Sequence, residues 1–488
     1  MKRSVMLPRL LCPCAVLVLF TSCTKQEVTE IRGGGPLPGP FHDLREVPGT
    51  VFDVTYAPNT VRIDLETVRR TLRSVSTDGD VFVFDDSDPR LHSLAEGQVM
   101  FLENLAVRKI LAVAKKDSQI IVGTDHAGLE DLFQKATVKW NVPIHFAALA
   151  AANQPPPALR PEWALWLDPE RVYAASGTQL SYSGKIEGWN VSFESKPSSN
   201  RLDMKFHVDK NLDELIVKLD THGYLKDFFS TANLEIQNGS VENFGFADTG
   251  LNGEMDVDFT ALRGEGSTAG MDKPNIKLPS LAKIPMPLAG VPFVMTINAN
   301  LILKPGFGGK KETAQGGFKI TYSGDEGISV ANGQATGSGQ PSGDGSLGGI
   351  ESSSLAPHAI LIGMAAPKIT LSLGTDSVVD MLTSALPSSL ADTLSDFLSN
   401  SSAGKWVKKK AESSFKTNAS ASVQSIAIFT MTAAGSLAMI PCQVSKLTLI
   451  LRADADAYVL GRKSGDKEVD LFKKDFGIRQ PAIKACEQ

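Results

Sequence analysis

Between Gln179 and Leu262 apolar and polar side chains alternate in run after run. The runs include Trp189-Asn-Val-Ser-Phe-Glu, Leu202-Asp-Met-Lys-Phe-His-Val-Asp, Leu234-Glu-Ile-Gln and Glu254-Met-Asp-Val-Asp-Phe-Thr. Successive side chains of a strand point to opposite faces, so a period of two gives each run one apolar and one wet face. The same pattern wound into a helix would scatter its apolar residues around the axis. The expected fold class is therefore mainly β: long antiparallel amphipathic strands in two or more β modules, with a minor helical insertion near 376–415. In that insertion Val378, Val379, Leu382 and Leu386 fall at helical spacing before Pro387, and Leu390, Leu394, Phe397 and Leu398 follow Ser388 and Ser389 as candidate caps.

The chain begins with Lys2, Arg3 and Arg9, then an apolar run from Leu10 to Phe20 that suits an export signal and is short for a membrane span. It ends in Leu19-Phe20-Thr21-Ser22-Cys23, which resembles the bacterial lipobox, with Phe20 where leucine is usual. The expectation is lipidation at Cys23 and residence in the bacterial cell envelope, as an outer-membrane lipoprotein facing the periplasm or the cell surface; a plain secretory signal and an uncleaved anchor are the alternatives. Of five cysteines, Cys12 and Cys14 leave with the signal, so Cys442 and Cys486 remain as an even pair. In an oxidising compartment they are expected to form a disulfide, with two free thiols as the alternative.

The formal net charge is −5, and −8 without the three basic residues of the first 22. An acidic chain is poorly suited to neutralising phosphates, so no nucleic-acid partner is expected. Residues 23–48 read as a Gly/Pro-rich tether and 49–150 as a small β-rich domain. An Ala/Pro linker at 151–177 leads to an antiparallel β domain at 178–331. Residues 332–356, dense in Gly and Ser, read as a loop unable to bury enough apolar surface to offset its ordering entropy. Strands with the helical insertion fill 357–488 and are expected to pack on 178–331. Five prolines between Pro274 and Pro292 confine that stretch to an edge or a strap.

No constellation of catalytic residues is visible. The histidines, at 42, 92, 126, 145, 207, 222 and 358, show no metal-pair spacing. Asp85-Asp86-Ser87-Asp88 lacks the ligand series of a calcium loop and reads as a polar turn before Pro89. Asp454 and Asp456 share a strand face, read as solvated. Ser346 lacks the glycine two residues before it that a nucleophile elbow requires. The expectation is no catalytic residue, metal or cofactor, and an unassigned ligand site.

Three stretches, Leu91-His-Ser-Leu-Ala-Glu-Gly-Gln-Val-Met, Arg108-Lys-Ile-Leu-Ala-Val and Val122-Gly-Thr-Asp-His-Ala-Gly-Leu-Glu-Asp-Leu-Phe, together with Ile284-Pro-Met-Pro-Leu-Ala-Gly-Val-Pro-Phe-Val-Met-Thr-Ile, resemble uncharacterised β-rich bacterial cell-surface proteins. That resemblance implies an exported, extended protein and brings no activity. The functional expectation is a non-enzymatic, lipid-anchored envelope or surface protein acting in adhesion, envelope structure or partner binding, its partner an envelope protein, glycan or lipid. The alternative is a carrier of lipid or another hydrophobic ligand, held in an apolar groove between sheet and helices.

Overall fold

The computed structural model describes residues 43–76, 79–116, 118–146, 180–186, 188–212, 215–263, 275–278, 281–307, 312–352, 358–373, 420–434, 442–455 and 467–480. Cys23 with the leader, residues 23–42 of the expected tether, the linker at 151–177, the helical insertion near 376–415 and Cys486 lie outside them. The last residues expected of the tether, 43–48, instead belong to the fold, because Leu44 is buried in the main core and Asp43 accepts from the Ala289 amide. The protein is mainly β, as the alternation demands.

After a short 3-10 turn at Leu44–Glu46, β1 (Val51–Tyr56) leads to a six-stranded sheet. Its members are β2 (Thr60–Ile63), β3 (Leu72–Val75), β4 (Val81–Asp85), β5 (Val99–Leu102), β6 (Ala106–Lys116) and β7 (Gln119–His126), in the order β2-β5-β6-β7-β4-β3 with β2 and β5 parallel. β2 stops at Ile63. There Asp64 accepts a bond from the Thr67 amide at 2.9 Å and caps α1 (Leu65–Thr71), whose Val68 is buried. In β5 both faces are buried, Met100 and Leu102 in the sheet's own core and Val99 and Phe101 in the main core, which explains its unbroken apolar run.

A short helix α2 (Leu129–Leu132) passes the chain to β8 (Phe133–Ile144), which joins a second, larger sheet together with β1. The 49–150 stretch is thus not a closed module, because its first and last strands pair elsewhere. The large sheet continues through β9 (Leu180–Ile186), β10 (Trp189–Pro197), β11 (Arg201–Leu212), β12 (Leu215–Lys226), β13 (Phe228–Gln237) and β14 (Ser240–Arg263), and is completed by β18 (Glu312–Ala331), β19 (Gln334–Ser338) and β20 (Ser342–Ser352). Two long hairpins form its centre. β12 and β13 run almost continuously against β14 around Asn238-Gly239, and β18 turns back into β19 around Asn332-Gly333. Both residues of each turn have positive φ, the two-residue turn that matches strand twist and favours Asn-Gly.

The Gly/Ser stretch expected to be a loop is therefore strand. Its glycines face the third sheet closely: a Cβ on Gly343 would stand 2.4 Å from a Leu449 methyl, and one on Gly345 2.9 Å from both Leu447 and Phe476. The apolar surface that this stretch lacks is supplied by the facing sheet.

That third sheet is an antiparallel meander of β17 (Val291–Phe307), β21 (His358–Leu373), β22 (Ser420–Ala434), β23 (Cys442–Ala455) and β24 (Lys467–Gln480). β15 (Asn275–Lys277) and β16 (Ala282–Leu288) pair only with β17, the edge position expected of the proline-rich stretch. The inner faces of the two large sheets form one core. Phe429 of β22 packs on Phe259 of β14 at 5.0 Å and Phe318 of β18 at 5.5 Å, and Trp140 of β8 on Phe293 of β17 at 5.1 Å between ring centroids. The β16–β17 turn holds the small sheet in place: the Asn104 amide donates to the Gly290 carbonyl at 2.7 Å, and the Ala289 amide to the Asp43 carboxylate at 3.1 Å.

Across the middle of the large sheet runs a kink. Gly250 in β14 and Gly324 in β18 take positive φ, and Asp227 separates β12 from β13. Two carboxylates fix the break. Asp325 accepts from the Gly250 amide at 2.8 Å, and Asp227 from the Phe146 amide at 3.0 Å.

Candidate functional site

The wet face of the large sheet brings distant residues into rows. One row crosses seven strands as Ser181, Glu194, Lys205, His222, Asp256, Lys319 and Ser346, and the next as Ser183, Ser192, His207, Asp220, Asp258, Gly317 and Gly348. These rows line two adjoining depressions of ≈ 760 Å³, over β9 to β12, and ≈ 530 Å³, over β14, β18 and β20.

Neighbouring strands set the charges against each other. His207 Nδ1 lies 2.6 Å from Asp220 and its Nε2 3.1 Å from Asp209, His222 lies 3.7 Å from Asp256, and Lys319 bonds Glu254 at 2.6 Å. The Asp220 hydrogen bond, opposed by partial burial and helped by the charges of Asp220 and Asp209, raises the pKa of His207. Added Cβ atoms on Gly348 and Gly349 would meet open space, so the floor at that end is bare backbone. Among the described residues, the exposed large apolar ones, Val51, Phe229, Ile302 and Val444, lie outside both depressions.

The inner face holds a second polar group. Ser230, Asp248 and Glu326 face one another in a row across β13, β14 and β18, beside the kink. Asp248 and Ser230 are 0% exposed and Glu326 1%. The Ser230 hydroxyl, both Asp248 carboxylate oxygens, Glu326 Oε1 and the Tyr322 hydroxyl make no hydrogen bond. Burial, with the nearby Glu326 charge, pushes the Asp248 carboxyl well above its ordinary range, and burial pushes Glu326 up to about 8.

Other residues marked in the sequence have structural partners. Asp85 pairs with Arg73, and Asp88 caps a 3-10 turn and binds Arg70 and Arg90, so the acidic turn holds arginines. The motif residues Arg108, Thr124 and His126 form a buried network. Arg108 bonds Asp80 at 2.6 Å, Thr124 at 3.0 Å and His126 at 3.1 Å. Asp454 accepts from Ser422 at 2.7 Å and Gln424 at 3.2 Å, while Asp456 lies outside the described residues. His92 and His145 bond Asp86 and Asp227, and His358 opens β21. Cys442 is the first residue of β23; its expected partner lies outside the described residues. Among the described residues no three His, Cys, Asp or Glu side chains form a metal-binding group. Between the large sheets lies a cavity of ≈ 20 Å³, lined by residues including Trp140, Phe244, Phe293 and Leu371.

Spacing along the chain hid the trough, since His207 and His222 meet only through strand pairing. The signal available was the alternation itself, which puts Lys205, His207, Asp220, His222, Asp256 and Asp258 on wet faces of successive strands. No curated protein and no solved structure matches the chain. Residues 46–135 match one family model, described as a domain of unknown function (DUF8403), and residues 169–378 match another, also described as a domain of unknown function (DUF8402).

Proposed function

We propose that this chain is a non-enzymatic protein of the bacterial cell envelope, lipidated at Cys23 after export, that binds a hydroxyl-rich envelope glycan along the outer trough. The trough supports this reading. Four carboxylates, Glu194, Asp220, Asp256 and Asp258, stand among two lysines, two imidazoles and serines, none of the exposed large apolar residues among the described ones lies in it, and glycine backbone leaves a flat floor. Such a surface suits a neutral polyhydroxylated chain better than a protein hot spot, which centres on buried aromatic and arginine anchors. The groove of the carrier alternative would be closed by the helices expected near 376–415, which lie outside the described residues. A Cys442–Cys486 disulfide would brace the C-terminal strands, and protection of both thiols from alkylation in the unreduced, denatured protein would support it.

The test is binding of the mature chain to solubilised envelope polysaccharide. Asp220→Ala with Asp258→Ala should weaken binding by about tenfold or more while leaving the melting temperature unchanged. Binding indifferent to both changes, or a stoichiometric lipid mass released from the native protein on denaturation, would count against the reading.

A further inference from the structure

The buried row beside the kink goes beyond glycan binding. Ser230, Asp248 and Glu326 project from three neighbouring strands onto the same inner face, where registered Cβ atoms stand about 5 Å apart. Tyr322, four residues before Glu326 on β18, is also buried, and the charge of Glu326 acts on its hydroxyl. Burying these polar atoms in an apolar core without partners leaves their lost hydration unrepaid. Ser230, Asp248 and Glu326 share one row, yet the Ser230 hydroxyl, both Asp248 carboxylate oxygens and Glu326 Oε1 make no hydrogen bond. A cation between them would supply the partner that these oxygens lack. All are hard donors, with neither sulfur nor imidazole among them, which selects calcium or magnesium over zinc or copper.

We propose that Asp248 and Glu326, assisted by the hydroxyl of Ser230, bind one oxygen-seeking divalent cation inside the sandwich, with water completing its shell. The ion would neutralise two carboxylates and tie β13, β14 and β18 together where the kink interrupts their ladders. It would be a structural ion, held on the opposite face of the sheet from the trough. Failure of glycan binding would leave it untouched, and its own failure would leave the trough reading standing.

The experiment uses the full mature chain, stripped with chelator and dialysed, with calcium chloride and magnesium chloride as separate probes. Bound metal is measured by equilibrium dialysis with elemental analysis, and melting temperature is followed in parallel. The expected result is about one ion per chain and a rise in melting temperature that chelator reverses. Glu326→Gln should weaken binding by roughly tenfold or more, because a site's affinity follows its ligand charge. Ser230→Ala, which removes a neutral ligand and leaves the fold intact, should weaken it by a smaller factor. Absence of bound metal at millimolar calcium and magnesium would overturn the proposal and leave two protonated acids sharing the core. Uptake undiminished in both Glu326→Gln and Ser230→Ala would overturn it as well, by placing the ion elsewhere.

Discussion

Glu326 in the folded chain holds its proton up to about pH 8, against an ordinary value of 4.5, because burial disfavours its charged form. Asp248 is raised in the same direction by its own burial and then by Glu326. The folded state therefore binds more protons than the unfolded state across that interval. The stability these groups contribute is complete below their unfolded values, declines as pH rises from there, and is lost once pH has passed the folded ones. The surface carboxylates act in the opposite sense and lower down: Asp64, held at about 2 mainly by the Thr67 amide, loses its contribution only as pH falls toward that value. His207, raised by its bond to Asp220, also loses its contribution as pH rises, but it is half-exposed and its share is small. With chelator present, Glu326→Gln should gain on the parent by about 3 kcal/mol between pH 4.5 and 7. Urea titrations at the two pH values measure this, and an unchanged difference would mean that Glu326 is ionised in the fold. The sequence signal for these acids was slight, a charged residue standing at an inward position of an alternating run. Asp248 follows Phe244 and Phe246, and Glu326 precedes Ile328 and Val330, in the inward phase of the alternation; the kink resets only β14, where Leu251, Met255 and Val257 take up the opposite parity.

The strands themselves were largely legible, since most runs of alternation became strands with the expected face buried. Met295, Ile297, Ala299, Leu301 and Leu303 of β17 are a clear case, each at most 2% exposed. The failure at 332–356 has a physical origin: glycine and serine have little apolar surface to signal a core position, and here the facing sheet fills the space. Asn332-Gly333 was the available clue, a hairpin turn between two runs. If close approach is the reason for the glycines, their tolerance should follow position. Gly343→Val should destabilise by about 1–3 kcal/mol, because its side chain would press into Leu449 and Phe472. Gly348→Val, where an added Cβ meets open space, should be nearly neutral. Thermal unfolding of the two variants separates these outcomes, and equal losses would show that backbone entropy rather than packing selects glycine there.

At the scale of the whole molecule, domain limits inferred from composition fail where strand pairing crosses them. β1 and β8 bracket the small sheet in sequence yet lie side by side in the large one, and β8 pairs with β13 more than eighty residues later. Phe101, Phe133, Val138 and Trp140 consequently face the core shared by the two large sheets. No run of residues before Ile144 could have disclosed this, because the information lies in the partner strands. A fragment of residues 43–146 would keep the Arg108–Asp80 network and the small sheet's own core. It would expose the apolar faces of β1 and β8 and leave β8 with an unpaired edge, the condition that favours aggregation. Such a fragment should lack a cooperative thermal transition, or associate, in concentration-dependent calorimetry and light scattering, whereas the full chain should lose the small sheet and the sandwich together. A monomeric fragment melting cooperatively on its own would show that the shared core, and the β16–β17 turn docked on Asn104 and Asp43, contribute little to holding the small sheet folded.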